Sequence, residues 1–213
     1  MLERFRQFWT KLWSPVGNLL LRLGVSPNAV TVVGTLGVCA GALVFFPQGW
    51  LLAGVLVITA FVFSDMIDGY MARTSGQMTS FGAFLDSTLD RIGDAAVFGG
   101  LAMYYVGPGD NEGWAALAIY CLSMGSVTSY ARARAESLGM QAKVGIAERA
   151  DRLVSILVMT GLADLLRLLG ADHKVMWLIP LTLGVLAVAS TITVVQRVLV
   201  VRRQGLAAGA DTE

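Results

Sequence analysis

Apolar residues fall along this chain in long blocks separated by short polar or Gly/Pro stretches. Six blocks follow one another, at about 29–46, 50–73, 79–106, 114–138, 147–169 and 175–201. Each is long enough for a helix crossing a hydrocarbon core roughly 30 Å thick, at about 1.5 Å per residue. Between them stand turn formers such as Pro47-Gln48-Gly49 and Thr74-Ser75-Gly76-Gln77, and the loops 107–113 and 170–174. The pattern predicts an all-α integral membrane protein with six transmembrane helices.

The rhythm differs ahead of the first block. Leu2, Phe5, Trp9, Leu12 and Trp13 share one helical face, against Glu3, Arg4, Arg6, Gln7, Thr10 and Lys11. Aromatic residues opposite basic ones predict an N-terminal amphipathic helix lying in the membrane interface, although a packed amphipathic helix would show the same face. Pro15 and Gly17 break it. The chain thus divides into an interfacial segment, 1–25, a six-helix membrane domain, 26–203, and a tail, 204–213, expected to be disordered.

Composition agrees with the blocks. At 213 residues, 55% hydrophobic and mean hydropathy +0.66, no separate soluble domain fits. The net charge of +1 gives no reason to expect nucleic acid. Cys39 and Cys121 lie inside apolar blocks and read as packing residues, and the first residues do not form a cleavable signal peptide. With six spans, the N-terminal segment, the second and fourth connections and the C-terminus share one side. That side and the adjoining helix ends hold every Lys and Arg except Arg167 and Lys174. The positive-inside rule then makes both termini cytoplasmic, in a multi-pass protein of the cell membrane.

Against this background four carboxylates stand out. Asp65 and Asp68 are spaced i,i+3, Asp86 and Asp90 i,i+4, so each pair shares a helical face. The short polar break between them makes the two helices antiparallel neighbours. Two such faces form one acidic nest, at the depth of the lipid head groups and open to the cytoplasm. Clustered carboxylates repel one another and resist desolvation, and divalent cations remove that penalty. Oxygen-only ligands favour Mg²⁺ or Mn²⁺, with phosphate completing the shell.

The spacing Asp-x2-Asp-Gly-x2-Ala-Arg-x8-Gly-x3-Asp-x3-Asp is met at Asp65, Asp68, Gly69, Ala72, Arg73, Gly82, Asp86 and Asp90. It resembles the signature of the CDP-alcohol phosphatidyltransferases, membrane enzymes that move a phosphatidyl group from CDP-diacylglycerol onto an alcohol. The resemblance implies Asp65, Asp68 and Asp86 as ligands of two Mg²⁺ ions, with Mn²⁺ an alternative. It makes Asp90 both the general base and a group near a metal. It carries CDP-diacylglycerol binding to Pro27, Asn28, Ala29, Val30 and Thr31, and to Gly69, Arg73, Thr79 and Gly82. Helix capping alone would also explain Pro27 and its neighbours. Asp94, one turn past Asp90, lies outside the signature and reads as a helix-packing ion pair. The resemblance further implies a homodimer among membrane lipids, and Gly37 and Gly41 offer a weak candidate for close helix approach.

The acceptor is read from the second half of the chain. Ser129, Arg132, Arg134, Lys143, Arg149, Arg152 and Arg197 gather on the cytoplasmic side. Positive-inside flanking charge accounts for about half of them. Arg132, Arg152 and Arg197, however, fall a turn or more within helices, where idle charge is costly. Arginine clusters suit a phosphorylated acceptor. FGAFLDSTLDR at 81–91 and the later SYARARAE resemble the inositol-phosphate-using members, which implies acceptor phosphate binding at Ser129, Arg132, Arg152 and Arg197. The alternative acceptor is glycerol 3-phosphate, although Asp86-Ser87-Thr88-Leu89-Asp90-Arg91 departs from the Asp-Pro-x-x-Asp-Lys of enzymes using it. A divalent-cation transporter would also bury acids in membrane helices, but needs polar residues throughout its spans, and the outer halves here are nearly all apolar.

Overall fold

The computed structural model describes the backbone of residues 14–62, 64–76 and 79–210, and the side chains of all of these except 64–66 and 208–210. The interfacial helix expected at 2–13 lies outside the described residues. A helical stretch at 14–22 comes first, and Tyr70 holds it by donating to Asn18 Oδ1 at 3.1 Å. Seven α-helices follow: α1 Pro27–Ala40, α2 Leu51–Val62, α3 Ser64–Thr74, α4 Ser80–Val106, α5 Glu112–Ser137, α6 Arg149–Leu168 and α7 Leu178–Ala210. No strand occurs among the described residues.

The helices stand close to the expected blocks, but the expectation of six membrane spans is not met. Three stretches among the described residues are long and apolar enough to cross a bilayer: Pro27–Gln48, Leu51–Thr74 and His173–Ala207. The other three helices are long but less apolar: charge interrupts the runs of α4 and α6, while α5 carries its charges near its ends and is diluted by Gly, Ser, Thr and Tyr. Asp86, Asp90, Arg91 and Asp94 lie in α4, Arg132, Arg134 and Glu136 in α5, and Arg149, Asp151, Arg152, Asp164 and Arg167 in α6. The molecule is an all-α, multi-pass membrane protein. Its many exposed apolar side chains, such as Leu36, Leu56, Ile119, Leu181 and Val188, face outward as only a bilayer tolerates.

Local chemistry explains the helix ends. Ser26 caps α1 by accepting from the Ala29 N–H at 3.2 Å, with Pro27 in the first turn. Thr79 caps α4 by accepting from the Gly82 N–H at 3.0 Å. α7 runs on to Ala210, into the stretch expected to be disordered. There Gln204 both accepts from the Gln141 N–H (2.9 Å) and donates to the Gln141 carbonyl (2.6 Å).

Packing closes the helices into a ring, α1 against α4, then α5, α7, α6 and α2, and back to α1, with α3 also against α1. Phe46, Ile58, Phe98, Leu101, Ile156 and Leu183 fill the interior. Gly37 and Gly41 serve this packing within the chain. A Cβ at Gly37 would stand 2.2 Å from the Phe61 ring, and one at Gly41 2.8 Å from Ile58. Both cysteines are free.

One polar contact fixes the ring away from the acidic residues of α3 and α4. Buried Asp164 on α6 accepts from the Leu52 N–H at 2.8 Å, satisfying one of the orphan donors at the start of α2, and pairs with Arg167. Asp164→Ala leaves that N–H without its acceptor and is expected to destabilise the fold by about 1–3 kcal/mol. Thermal unfolding in detergent measures this, and an unchanged midpoint would show the contact to be incidental.

Candidate active site

The acidic motif is built on α3 and α4, which α1 brings together. Buried Asp68 and Gly69 on α3, Asp86 on α4 and Thr31 on α1 line one cavity of about 270 Å³. Pro27, Asn28, Ala72, Arg73, Thr79, Gly82 and Ala83 complete its wall. Of the residues expected at the nucleotide, Ala29 and Val30 alone do not line it. The Thr31 hydroxyl donates to the Pro27 carbonyl at 3.1 Å, so it shapes the wall as well as facing it.

Of the two signature glycines, Gly82 leaves little space for a side chain, while Gly69 lies at ordinary contact distance from its neighbour. A Cβ on Gly82 would come within 3.3 Å of both Asn28 Oδ1 and Thr79 Oγ1. On Gly69 it would meet an Arg73 Nη at 3.4 Å. The absence of side chains at both leaves two polar groups and a guanidinium facing the space beside the carboxylates.

The side chain of Asp65 lies outside the described residues. Among the described residues no three Asp, Glu, His or Cys side chains gather as a metal site. The donor set that is described is nonetheless all oxygen. Asp68 and Asp86 face one cavity beside Arg73, and Asp90 follows Asp86 by one turn. Such donors fit a hard divalent cation that completes its shell with phosphate.

A second cavity, about 870 Å³, is lined by the next turn of α4. Asp90 lines it, so α4 presents Asp86 to one cavity and Asp90 to the next. Ser129, Arg132, Arg152 and Arg197 all line it too, brought together from α5, α6 and α7. Arg91 and Arg149 join them, which the sequence reading did not place at a site. Five guanidiniums thus face three carboxylates, Asp90, Glu136 and Glu148.

The arginines differ in how they are held. Arg152 is 1% exposed and Arg197 4%, so both form the inner wall. Arg152 donates to the Ala147 carbonyl at 3.1 Å, and Arg197 to the carbonyls of Val144 (2.9 Å) and Thr128 (2.6 Å). They therefore also pin the 139–148 loop across the bundle. Thr193 helps by accepting from the N–H groups of Ile146 (3.1 Å) and Ala147 (3.2 Å). Arg132 is partly open to solvent and, among the described residues, pairs with nearby Glu136 at 3.1 Å. Arg149 bridges Asp90 at 2.8 Å and Asp94 at 3.1 Å. Asp94 thus forms an ion pair between helices, as its position outside the signature suggests.

The CDP-alcohol phosphatidyltransferase family model matches residues 24–195. The chain belongs to that family. Among relatives of this phosphatidyltransferase is the phosphatidylinositol phosphate synthase of Cutibacterium acnes, 50% identical over 203 residues, which are 95% of this chain and 98% of the relative. Two structures of the Mycobacterium tuberculosis phosphatidylinositol phosphate synthase are similar at 40% identity. One has CDP-diacylglycerol bound, with a TM-score of 0.83 over 90% of this chain and 94% of that one. The other is a complex with manganese and citrate, with a TM-score of 0.80 over 89% and 88%.

Proposed function

We propose that this phosphatidyltransferase moves the phosphatidyl group of CDP-diacylglycerol onto inositol phosphate, giving phosphatidylinositol phosphate and CMP. The observation that carries the acceptor is the larger cavity, where arginines from four helices surround one edge that holds Asp90. A neutral alcohol has no use for five guanidiniums, whereas a phosphate monoester does.

The donor's CDP head belongs in the smaller cavity. Asn28, Thr79 and Arg73 offer polar contacts there, and Gly69 and Gly82 leave room for it. Asp65, Asp68, Asp86 and Asp90 would hold the divalent cations. Divalent cations held there would supply neutralisation of the diphosphate and stabilisation of the departing CMP oxygen. Ser129, Arg132, Arg152 and Arg197 hold the acceptor's phosphate and turn its hydroxyl toward Asp90. Asp90 takes the hydroxyl proton as the oxygen bonds to the phosphatidyl phosphorus and the bond to CMP breaks. The basic end of the bundle faces the cytoplasm in this reading, supported by Arg73, Arg132, Arg134, Lys143, Arg202 and Arg203. The homodimer implied by the resemblance is part of the same reading, and cross-linking in native membranes tests it.

Purified protein, labelled CDP-diacylglycerol and a panel of acceptors test the chemistry, with Mg²⁺ and Mn²⁺ in parallel. Turnover is expected with inositol phosphate. Preference for glycerol 3-phosphate or for an unphosphorylated alcohol would overturn the acceptor assignment.

The arginines give a finer test. Arg132→Ala removes an exposed side chain with no interior bonds. Loss of one charge-assisted contact, about 1.5 kcal/mol or more, raises KM for inositol phosphate about tenfold, with donor affinity unchanged. Arg152→Ala is expected to raise the same KM and also to lower the thermal midpoint, because the Ala147 carbonyl loses its donor. An unchanged acceptor KM in both variants would remove the phosphate from this cavity.

A further inference from the structure

Behind the larger cavity one carboxylate gathers three of the five guanidiniums that line it. Asp94 follows Asp90 by one turn of α4, is 6% exposed, and is not among the lining residues. Its Oδ1 accepts from Arg149 Nε at 3.1 Å, while its Oδ2 stands 3.8 Å from Arg152 Nη2 and 4.0 Å from Arg91 Nη2. All three arginines line the cavity. Arg91 carries the arrangement to a third helix, because its Nη1 donates to Ser129 Oγ on α5. Four of the lining side chains therefore depend, directly or through one neighbour, on a residue the cavity does not touch.

Three guanidiniums so close repel one another, and long side chains have many rotamers to choose from. A buried carboxylate among them lowers the repulsion and selects one arrangement. The backbone does little of this work. α6 makes its close helix contacts with α2 and α7, and meets α4 here through Arg149 and Arg152.

We propose that Asp94 is a positioning residue for the acceptor, ordering Arg91, Arg149 and Arg152 so that together they receive its phosphate. This rests on the assignment of the larger cavity to inositol phosphate. Asp94 touches neither substrate and acts through the arginines.

Charge alone predicts the opposite outcome, which makes the test sharp. Removing a negative charge from behind an anion site tightens anion binding if electrostatics alone matter. Removing the group that orders the site weakens it. Asp94→Asn is expected to raise KM for inositol phosphate about tenfold, a coupling of about 1.4 kcal/mol, with kcat changed much less and CDP-diacylglycerol affinity unaltered. Asp94→Glu retains the charge but displaces it by one methylene, and is expected to raise the same KM about threefold. In an Arg149→Gln background, Asp94→Asn is expected to add less than it does alone, because the two side chains act as one unit.

A KM for inositol phosphate that falls or stays at the wild-type value in either folded Asp94 variant would overturn the proposal. So would additive effects with Arg149→Gln, or equal losses for both substrates, which mark a carboxylate that only ties α4 to α6. Should Asp94→Asn fail to accumulate, Asp94→Glu carries the same decision. Arg132→Ala, measured alongside, separates the two layers. If it and Arg152→Ala both leave the acceptor KM unchanged, the cavity assignment fails; if either raises KM and the Asp94 variants do not, the assignment stands and only the positioning role falls.

Discussion

Asp68→Asn and Asp86→Asn, made singly, are expected to abolish phosphatidyl transfer, and EDTA is expected to do the same reversibly to the unaltered enzyme. Both carboxylates face the smaller cavity, and Asp68 is 7% exposed. Asp86 is exposed, but a buried carboxylate with a second one on the same cavity is costly, so the charge of Asp68 serves something that repays it. An amide keeps the shape and loses the charge, and with it the cation. Metal stabilisation of a leaving phosphate oxygen is worth several kcal/mol. Losing about 4 kcal/mol lowers the rate roughly a thousandfold, at 1.36 kcal/mol per tenfold. Asp65→Asn is expected to behave alike on the strength of the signature. Stability separates this from a folding defect. Relief of carboxylate repulsion leaves the metal-free Asn variants no less stable than the metal-free wild type, and thermal midpoints in EDTA measure it. Full turnover in metal-free buffer would sink the cation model. Titration of the EDTA-treated enzyme with Mg²⁺ and Mn²⁺ gives the preferred ion and the number bound.

The parts of this molecule legible in its sequence are those encoded locally. Asp65, Asp68, Asp86 and Asp90 declare themselves by spacing along two helices. The caps at Ser26 and Thr79 follow from residue type and position, and the helices begin and end close to the polar breaks. What local pattern does not reveal is where a charged residue's partner lies. α4, α5 and α6 read as membrane spans when their length is weighed and their charges are treated as flanking. In the fold those charges meet across helices, Asp94 with Arg149 and Arg152, and Asp164 with the Leu52 N–H more than a hundred residues away. Arg149 shows the same limit at the site. Seen alone it is a basic residue at a helix start, and only the approach of α6 to α4 makes it the partner of Asp90. Gly37 and Gly41 carry the opposite lesson: a pattern that suggests contact between chains is used within one chain, where α1 and the residue just after it meet α2.

Asp90→Asn is expected to keep the donor and lose the transfer. Asp90 lines the larger cavity, while Asp68, Asp86, Asn28 and Arg73 line the other. Donor binding therefore retains its contacts in this variant. The amide, however, cannot take the acceptor's hydroxyl proton, and loss of a positioned base lowers kcat by about 10²–10⁴-fold. Arg149, 2.8 Å from the same carboxylate, complicates a reading from this substitution alone. Arg149→Gln leaves the carboxylate in place without its clamp, and is expected to cost acceptor KM more than kcat. A second role of Asp90 as a cation ligand is separated by concentration. A weakened ligand is compensated by more Mg²⁺, whereas a missing base is not. CDP-diacylglycerol binding and single-turnover transfer are therefore measured over a wide range of Mg²⁺. A rate that stays low at saturating cation, with the donor still bound, assigns proton transfer to Asp90. Recovery to the wild-type rate at high Mg²⁺ would leave Asp90 as a ligand and move the base to another group.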